Sequence, residues 1–218
     1  MEITAVMTSR IFLLSPANLA GKRAQILSRG DFPLARALRS AQGAPLGDVF
    51  SFLSGLYFRG KLAYARAFAR SASAEPANRQ SVYVITAGAG LMSPDDLITG
   101  RQLRTFARVE VDEANLRYRQ PLVRDAERLA ASSDTSGVIL LGSIATVKYI
   151  GVLLEVFGER LFFPTAFIGR GDLSRGGLLL RCANEGAELA YVPAGAAARH
   201  GPRPAKLRPR PRLQPHSV

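Results

Sequence analysis

The stretch "FIGRGDLSRGGLLLR" at residues 167–181 sets Arg170, Asp172, Ser174 and Arg175 within six positions, between an apolar strand-like run and an apolar helix-like run. These side chains at a strand-to-helix turn suit anion binding. The first N–H groups of a helix and its dipole favour negative charge, and each guanidinium offers a bidentate fork. Asp172 is expected to cap the helix. Its own charge requires that role, or an arginine partner, if a phosphate is to sit nearby. A second such place is "LGSIATVKY" at 141–149, where Ser143 is expected to cap a helix after a buried strand and Lys148 adds a cation. The strand ends at Ser15, Thr86, Gly142 and Gly169 delimit a cleft of the kind in which open α/β sheets bind ligands.

General acid or base chemistry would fall to carboxylates, because the two histidines, His200 and His216, both lie close to the C-terminus. Asp48, Asp96 and Asp172 are available, and glycosidic-bond cleavage is the reaction that most needs carboxylates. Asp96 and Asp172 are the catalytic candidates. Asp96 also fits a first-turn charge that stabilises its helix. Tyr57 and Phe58 in "SGLYFRGK" are either platforms on which bases stack or core aromatics.

Several chemistries are excluded. The single Cys182 leaves no intramolecular disulfide, and without a histidine before residue 200 no Cys/His zinc site can assemble in the folded part. No metal and no cofactor is expected. "TAGAGLMSPDD" follows a strand but holds Ser93 where a dinucleotide fingerprint has its third glycine, and its helix is expected to start only at Pro94 under a Ser93 cap. "LGSIATVKY" lacks the second glycine and the Lys-Ser/Thr pair of a phosphate-binding loop. The N-terminal apolar stretch fits neither a signal peptide nor a membrane span, so a cytoplasmic protein with no membrane partner is expected, and Arg-Gly-Asp carries no adhesion meaning.

The elements that must position these residues alternate. Buried strands are expected at 10–15, 81–88, 137–143 and 160–164, with a last strand at 188–193. Helices are expected at 18–30, 32–43, 59–73, 93–106, 115–133 (kinked or broken at Pro121), 144–158 and 173–186. In the third helix Leu62, Tyr64, Ala65 and Phe68 are expected to oppose a polar face of Arg59, Lys61, Arg66 and Arg70. Apolar strands separated by helices give an α/β fold, a mixed or mostly parallel sheet covered by helices on both faces.

The formal charge is +12, from 29 Lys and Arg against 17 Asp and Glu, and points to a polyanionic partner. Residues 199–218 carry six of those cations, no acid and five prolines. That density of proline blocks helix and ladder hydrogen bonds. The organisation expected is one α/β domain over 1–198 and a flexible, disordered basic tail over 199–218 that can lie along phosphates.

The order of "LLSPAN" at Leu13, "GAGLMSPDDL" at Gly88, "LLGSIATVKY" at Leu140 and "RGDLSR" at Arg170 resembles the bacterial YaaA-like family of peroxide-stress proteins and related bacterial domains. The matching positions are Ser15, Pro16 and Ala17; Gly90, Pro94, Asp96 and Leu97; Ser143, Lys148 and Tyr149; and Arg170, Gly171, Ser174 and Arg175. Asn18 stands where the family has a lysine. The resemblance implies an α/β domain that binds DNA and takes part in stress protection.

Two functions are therefore expected. One is nucleic-acid binding, with Ser15, Ser143, Lys148, Arg170, Ser174 and Arg175 on phosphates. The other is an enzyme acting on a nucleotide, nucleoside or base by glycosidic-bond chemistry. The partner is nucleic acid or a phosphorylated small molecule.

Overall fold

A computed structural model of the protein describes residues 9–70, 80–131, 136–205 and 207. The chain enters on β1 (Ile11–Leu14), whose four side chains are all buried, and passes through α1 (Lys22–Arg29) and α2 (Pro33–Arg39), the latter opened by a proline where no N–H is needed. A two-residue strand, β2 (Ala44–Pro45), leads into α3 (Leu46–Ser54) and α4 (Leu56–Phe68). Gly55, at φ 58°, turns the chain between these two helices. β3 (Val82–Thr86) folds back through a glycine turn onto β4 (Gly90–Met92), and β5 (Leu97–Ile98) precedes α5 (Gly100–Ala107). The second half alternates α6 (Leu116–Ala131), β6 (Val138–Leu141), α7 (Val147–Phe157), β7 (Leu161–Pro164), α8 (Asp172–Glu185) and β8 (Tyr191–Pro193).

Six strands form one sheet in the order β4-β3-β1-β6-β7-β8, and β2 pairs with β5 apart from it. β3, β1, β6 and β7 run parallel, with Leu13 between Tyr83 and Leu140, while β4 and β8 close the edges antiparallel. The fold is α/β with a mixed, mostly parallel sheet. β1, β6 and β7 are buried along their whole length, which requires cover on both faces. α4 packs on β1 and α8, and α6 packs on β3, β4 and α7. From β1 the chain next enters this sheet at β3 on one side, and from β6 at β7 on the other. The connections that leave the carboxyl ends of β1 and β6 therefore diverge to opposite sides, a topological switch point where a crevice opens.

α4 and α8 meet backbone to backbone. A Cβ on Gly60 would stand 2.5 Å from the Gly176 carbonyl oxygen, and one on Gly176 would stand 2.7 Å from that of Leu56.

Three local expectations are corrected. No helix starts at Ser93: its hydroxyl accepts from the Asp95 N–H at 3.2 Å, and the Asp96 carboxylate accepts from the Ser93 N–H at 2.9 Å, which closes a turn instead. The helix begins at Gly100, under Thr99, whose hydroxyl and the Gln102 side chain cap each other's backbone. α6 is one helix with Pro121 inside it, so the break into two shorter helices does not occur, and α3 forms in a segment where no element was expected.

Residues 199–205 and 207 form no helix or strand, yet they pack on the domain. Pro202 lies against Gly169, a Cβ on Gly201 would stand 2.5 Å from Ile168, and the Ala205 carbonyl accepts from Arg170 at 3.5 Å. The basic residues Lys206, Arg208, Arg210 and Arg212 lie outside the described residues. Among the described residues, no helix is long and apolar enough to cross a membrane.

Candidate functional site

The crevice at the switch point is a cleft of about 630 Å³, within the range of small-molecule sites. β1 delivers Ser15 to its floor, where the strand's last amide donates to the Leu141 carbonyl at 3.1 Å and fixes the residue against β6. Gly142 keeps β6 close, since a Cβ there would stand 3.0 Å from Ser15 Cβ. Ser143, Lys148 and Tyr149 reach the cleft from the β6–α7 connection and α7, and Asp172 and Leu173 reach it from the start of α8. Leu53 and Tyr57 come from α3 and α4, and Phe106, Val109 and Val111 from α5 and the segment after it. The lining thus combines polar and apolar side chains.

Lys61 is the unexpected member. It was expected on a polar face of its helix, but it is 1% exposed and its ammonium nitrogen opens on the cleft floor. Lys61 Nζ lies 2.6 Å from the Ser15 carbonyl oxygen and 2.9 Å from Ser15 Oγ. The same nitrogen sits 4.5 Å from the centre of the Tyr57 ring and 4.9 Å from that of Phe58. It forms no ion pair with a carboxylate among the described residues. Burial lowers its pKa from 10.5 to about 7, the nearby Asp172 charge opposing that shift and Arg175 adding to it. Burial also raises the Tyr57 and Tyr149 hydroxyls above their ordinary value.

The structure brings together Ser15, Ser143, Lys148 and Asp172, and leaves Arg170, Ser174, Arg175 and Asp96 outside this cleft. Arg170 donates to the Ala166 carbonyl at 2.9 Å and to Ser174 Oγ at 3.2 Å, and both side chains line a separate cavity of about 320 Å³ closed by Arg203, Pro204 and Leu207. Arg175 lies over the Phe167 ring at 5.4 Å and donates from Nε and Nη2 to the Phe167 carbonyl at 3.2 and 3.1 Å. Its side chain is 12% exposed, so the guanidinium braces the β7–α8 connection. Asp172 does not cap α8. It is the first helical residue behind Gly171, and its carboxylate faces Arg175 at 3.7 Å. Ser143 does not cap α7, which starts at Val147 behind Thr146; Ser143 Oγ accepts from the Ala145 N–H at 3.3 Å. The starts of α7 and α8 therefore lack a side-chain cap.

Thr86 is committed to the β3–β4 turn, donating to the Gly90 carbonyl at 2.9 Å and accepting from the Ala89 N–H at 3.1 Å. The glycines of "TAGAG" serve this hairpin. Phe58 is fully buried in the core, where it meets Phe50 edge to face, whereas Tyr57 forms part of the cleft. Among the described residues, no group of three or more His, Cys, Asp or Glu is placed to hold a metal ion. No protein-family model matches the chain, and neither does any curated protein or solved structure.

Proposed function

We propose that the cleft is the active site of an enzyme acting on a nucleotide or nucleoside. The observation that carries this reading is Lys61, an amine buried without a carboxylate partner and held against Ser15 on the floor of a cleft at the switch point. Burying a cationic group costs free energy, and strongly perturbed titrating groups in clefts concentrate at functional sites. The apolar lining residues Leu53, Phe106, Val109 and Val111 suit a base, and Ser143, Lys148 and the uncapped starts of α7 and α8 suit a phosphate. Asp172 is the sole carboxylate among the described residues lining the cleft. Glycosidic cleavage by paired carboxylates thus lacks its second member, since Asp96 is held in the turn at Ser93.

Thermal shift with a panel of nucleosides and nucleoside mono-, di- and triphosphates tests the reading. Phosphorylated members are expected to raise the melting temperature more than nucleosides do, and Lys148→Ala to erase that difference. A panel that produces no shift at all defeats it.

Nucleic-acid binding is the second reading. Arg101, Arg104 and Arg108 are exposed and spaced three and four apart, which sets them along one side of α5 and its C-cap, and α5 also supplies Phe106 to the cleft wall. Arg101→Ala/Arg104→Ala/Arg108→Ala should flatten the salt dependence of single-stranded DNA binding, and an unchanged slope removes this surface from consideration. Membership of the YaaA-like group, a cytoplasmic location and a part in stress protection belong with these proposals. The family and the stress role rest on the order of motifs, whose stretches after β1, β3, β6 and β7 all follow strands of the one sheet, and the location rests on the reading of the apolar stretch near residue 11.

A further inference from the structure

Ser15 and Lys61 are joined by contacts that do more than fill space. Ser15 is 5% exposed, directly follows β1 and lines the cleft, with its hydroxyl oxygen 2.9 Å from Lys61 Nζ. The groups around the amine are Ser15 just past β1, Tyr57 and Phe58 of α4 itself, and Asp172 and Arg175 of α8. Lys61 Nζ is the basic atom within hydrogen-bond distance of Ser15 Oγ, so it is the group placed to take a proton from Ser15. A hydroxyl becomes a competent nucleophile when such a base lies within hydrogen-bond reach.

We propose that Ser15 Oγ is the nucleophile of this cleft, with Lys61 Nζ as its general base, acting on an electrophilic phosphoryl centre. This rests on the nucleotide reading given above. In the first step the Ser15 Oγ–P bond forms as the bond from phosphorus to the leaving oxygen breaks. The hydroxyl proton passes to the Lys61 lone pair and from there to the leaving oxygen. Water then attacks phosphorus and the P–Oγ bond breaks. The water's proton goes to Lys61 and returns to Ser15, so enzyme and protonation state are restored. The neutral amine this needs is present near neutrality, because burial lowers the Lys61 pKa to about 7. The uncapped starts of α7 and α8 lie on the same cleft as Ser15 and offer N–H donors to the phosphoryl oxygens.

The test uses diisopropyl fluorophosphate, which reports a nucleophilic serine by losing fluoride as the Oγ–P bond forms. Intact-mass and peptide mapping of the full chain should find one adduct, on Ser15. Its rate should rise with pH through neutrality and level off above it. Lys61→Met should lower the rate by ~10²-fold or more, the scale of general-base assistance. No adduct, an adduct on another residue, or a rate flat from pH 5 to 9 in the unaltered protein overturns the proposal, and the last of these stands even if Lys61→Met does not fold. Thermal shift with the nucleotide panel on Ser15→Ala separates the two levels of inference. Nucleotide stabilisation without labelling of the native chain removes the nucleophile and keeps the nucleotide site. Labelling at Ser15 without nucleotide stabilisation keeps the nucleophile and removes the nucleotide reading.

Discussion

Lys61 makes the stability of the molecule depend on pH in a way that can be signed in advance. Its pKa is about 7 in the folded chain and 10.5 by the ordinary value that holds when the chain is unfolded. Between those values the unfolded chain binds more protons, so stability rises with pH. It is fully regained above the unfolded value and lost as pH falls through 7. The shifted tyrosines and Cys182 move upward from ordinary values of 9.0 or above, so among the shifted groups Lys61 is the one that changes protonation between pH 7 and 8. Urea unfolding over that window should show a slope approaching about 1.4 kcal/mol per pH unit, and Lys61→Met should abolish it. A slope that survives the substitution assigns the effect to another group. Arg175 gives a second expectation at this scale. Its guanidinium is spent on the Phe167 carbonyl and ring, so Arg175→Ala should cost about 1–3 kcal/mol of stability, with little change in nucleotide affinity. Equal denaturation midpoints with weakened binding would reverse that assignment. The signal for Lys61 was present in the sequence. Its neighbours three and four positions away are Tyr57, Phe58, Tyr64 and Ala65, a stripe with Lys61 at its centre. Grouping it with Arg59 and Arg66 by charge alone hid that stripe, whereas Ser15 and Ser143 were legible from their places just past strand ends and Lys148 from its place in the first turn of the helix that follows.

The helix pair α4 and α8 carries Tyr57, Lys61, Asp172 and Arg175, so the distance between these helices sets the geometry of the cleft floor. Gly60 and Gly176 make that distance short, and the atoms a methyl would meet are backbone atoms that cannot rotate away. Gly60→Ala and Gly176→Ala should therefore each cost about 1–3 kcal/mol, despite alanine's better helix propensity, and should weaken ligand binding in step with the displaced helices. Wild-type midpoints for both variants would mean that the pair tolerates separation. Elements with strong periodicity, β1, β3, β6, β7, α7 and α8, were legible because burial on both faces or along one stripe writes itself into the residue types. The start of α5 was not, because Ser-Pro and Thr-x-x-Gln are competing caps six residues apart. The reciprocal Thr99–Gln102 bonds prevail once Ser93 and Asp96 close a turn ahead of them. α3 escaped notice because its buried residues Leu46, Val49, Phe50 and Leu53 follow Pro45 with no capping side chain to mark the boundary.

At the scale of the whole molecule, the C-terminal segment divides into two parts with different physical duties. Gly201, Pro202 and Ala205 lie on Ile168, Gly169 and Arg170, and Leu207 comes within 3.6 Å of where a Gly177 Cβ would stand. This stretch therefore covers the turn into α8, from which Asp172 and Leu173 reach the cleft. The residues after it carry Arg208, Arg210 and Arg212, which the charge argument assigns to phosphate contact. Two truncations separate the duties. A chain ending at Leu207 should unfold within about 0.5 kcal/mol of the full chain, the ordinary scatter of changes away from packed features. Its log–log salt dependence for single-stranded DNA should flatten by up to about 2, since three arginines each release roughly 0.7 of a counterion. A chain ending at Ala198 should lose a further 1–3 kcal/mol or so, because it uncovers Ile168 and leaves Arg170 without its contact at Ala205. If both truncations match the full chain in denaturation midpoint, the contacts at 201–207 contribute nothing to the fold. If both match it in salt slope, the arginines beyond Leu207 do not touch phosphate, and the excess positive charge must act through the exposed arginines of α5 and its C-cap.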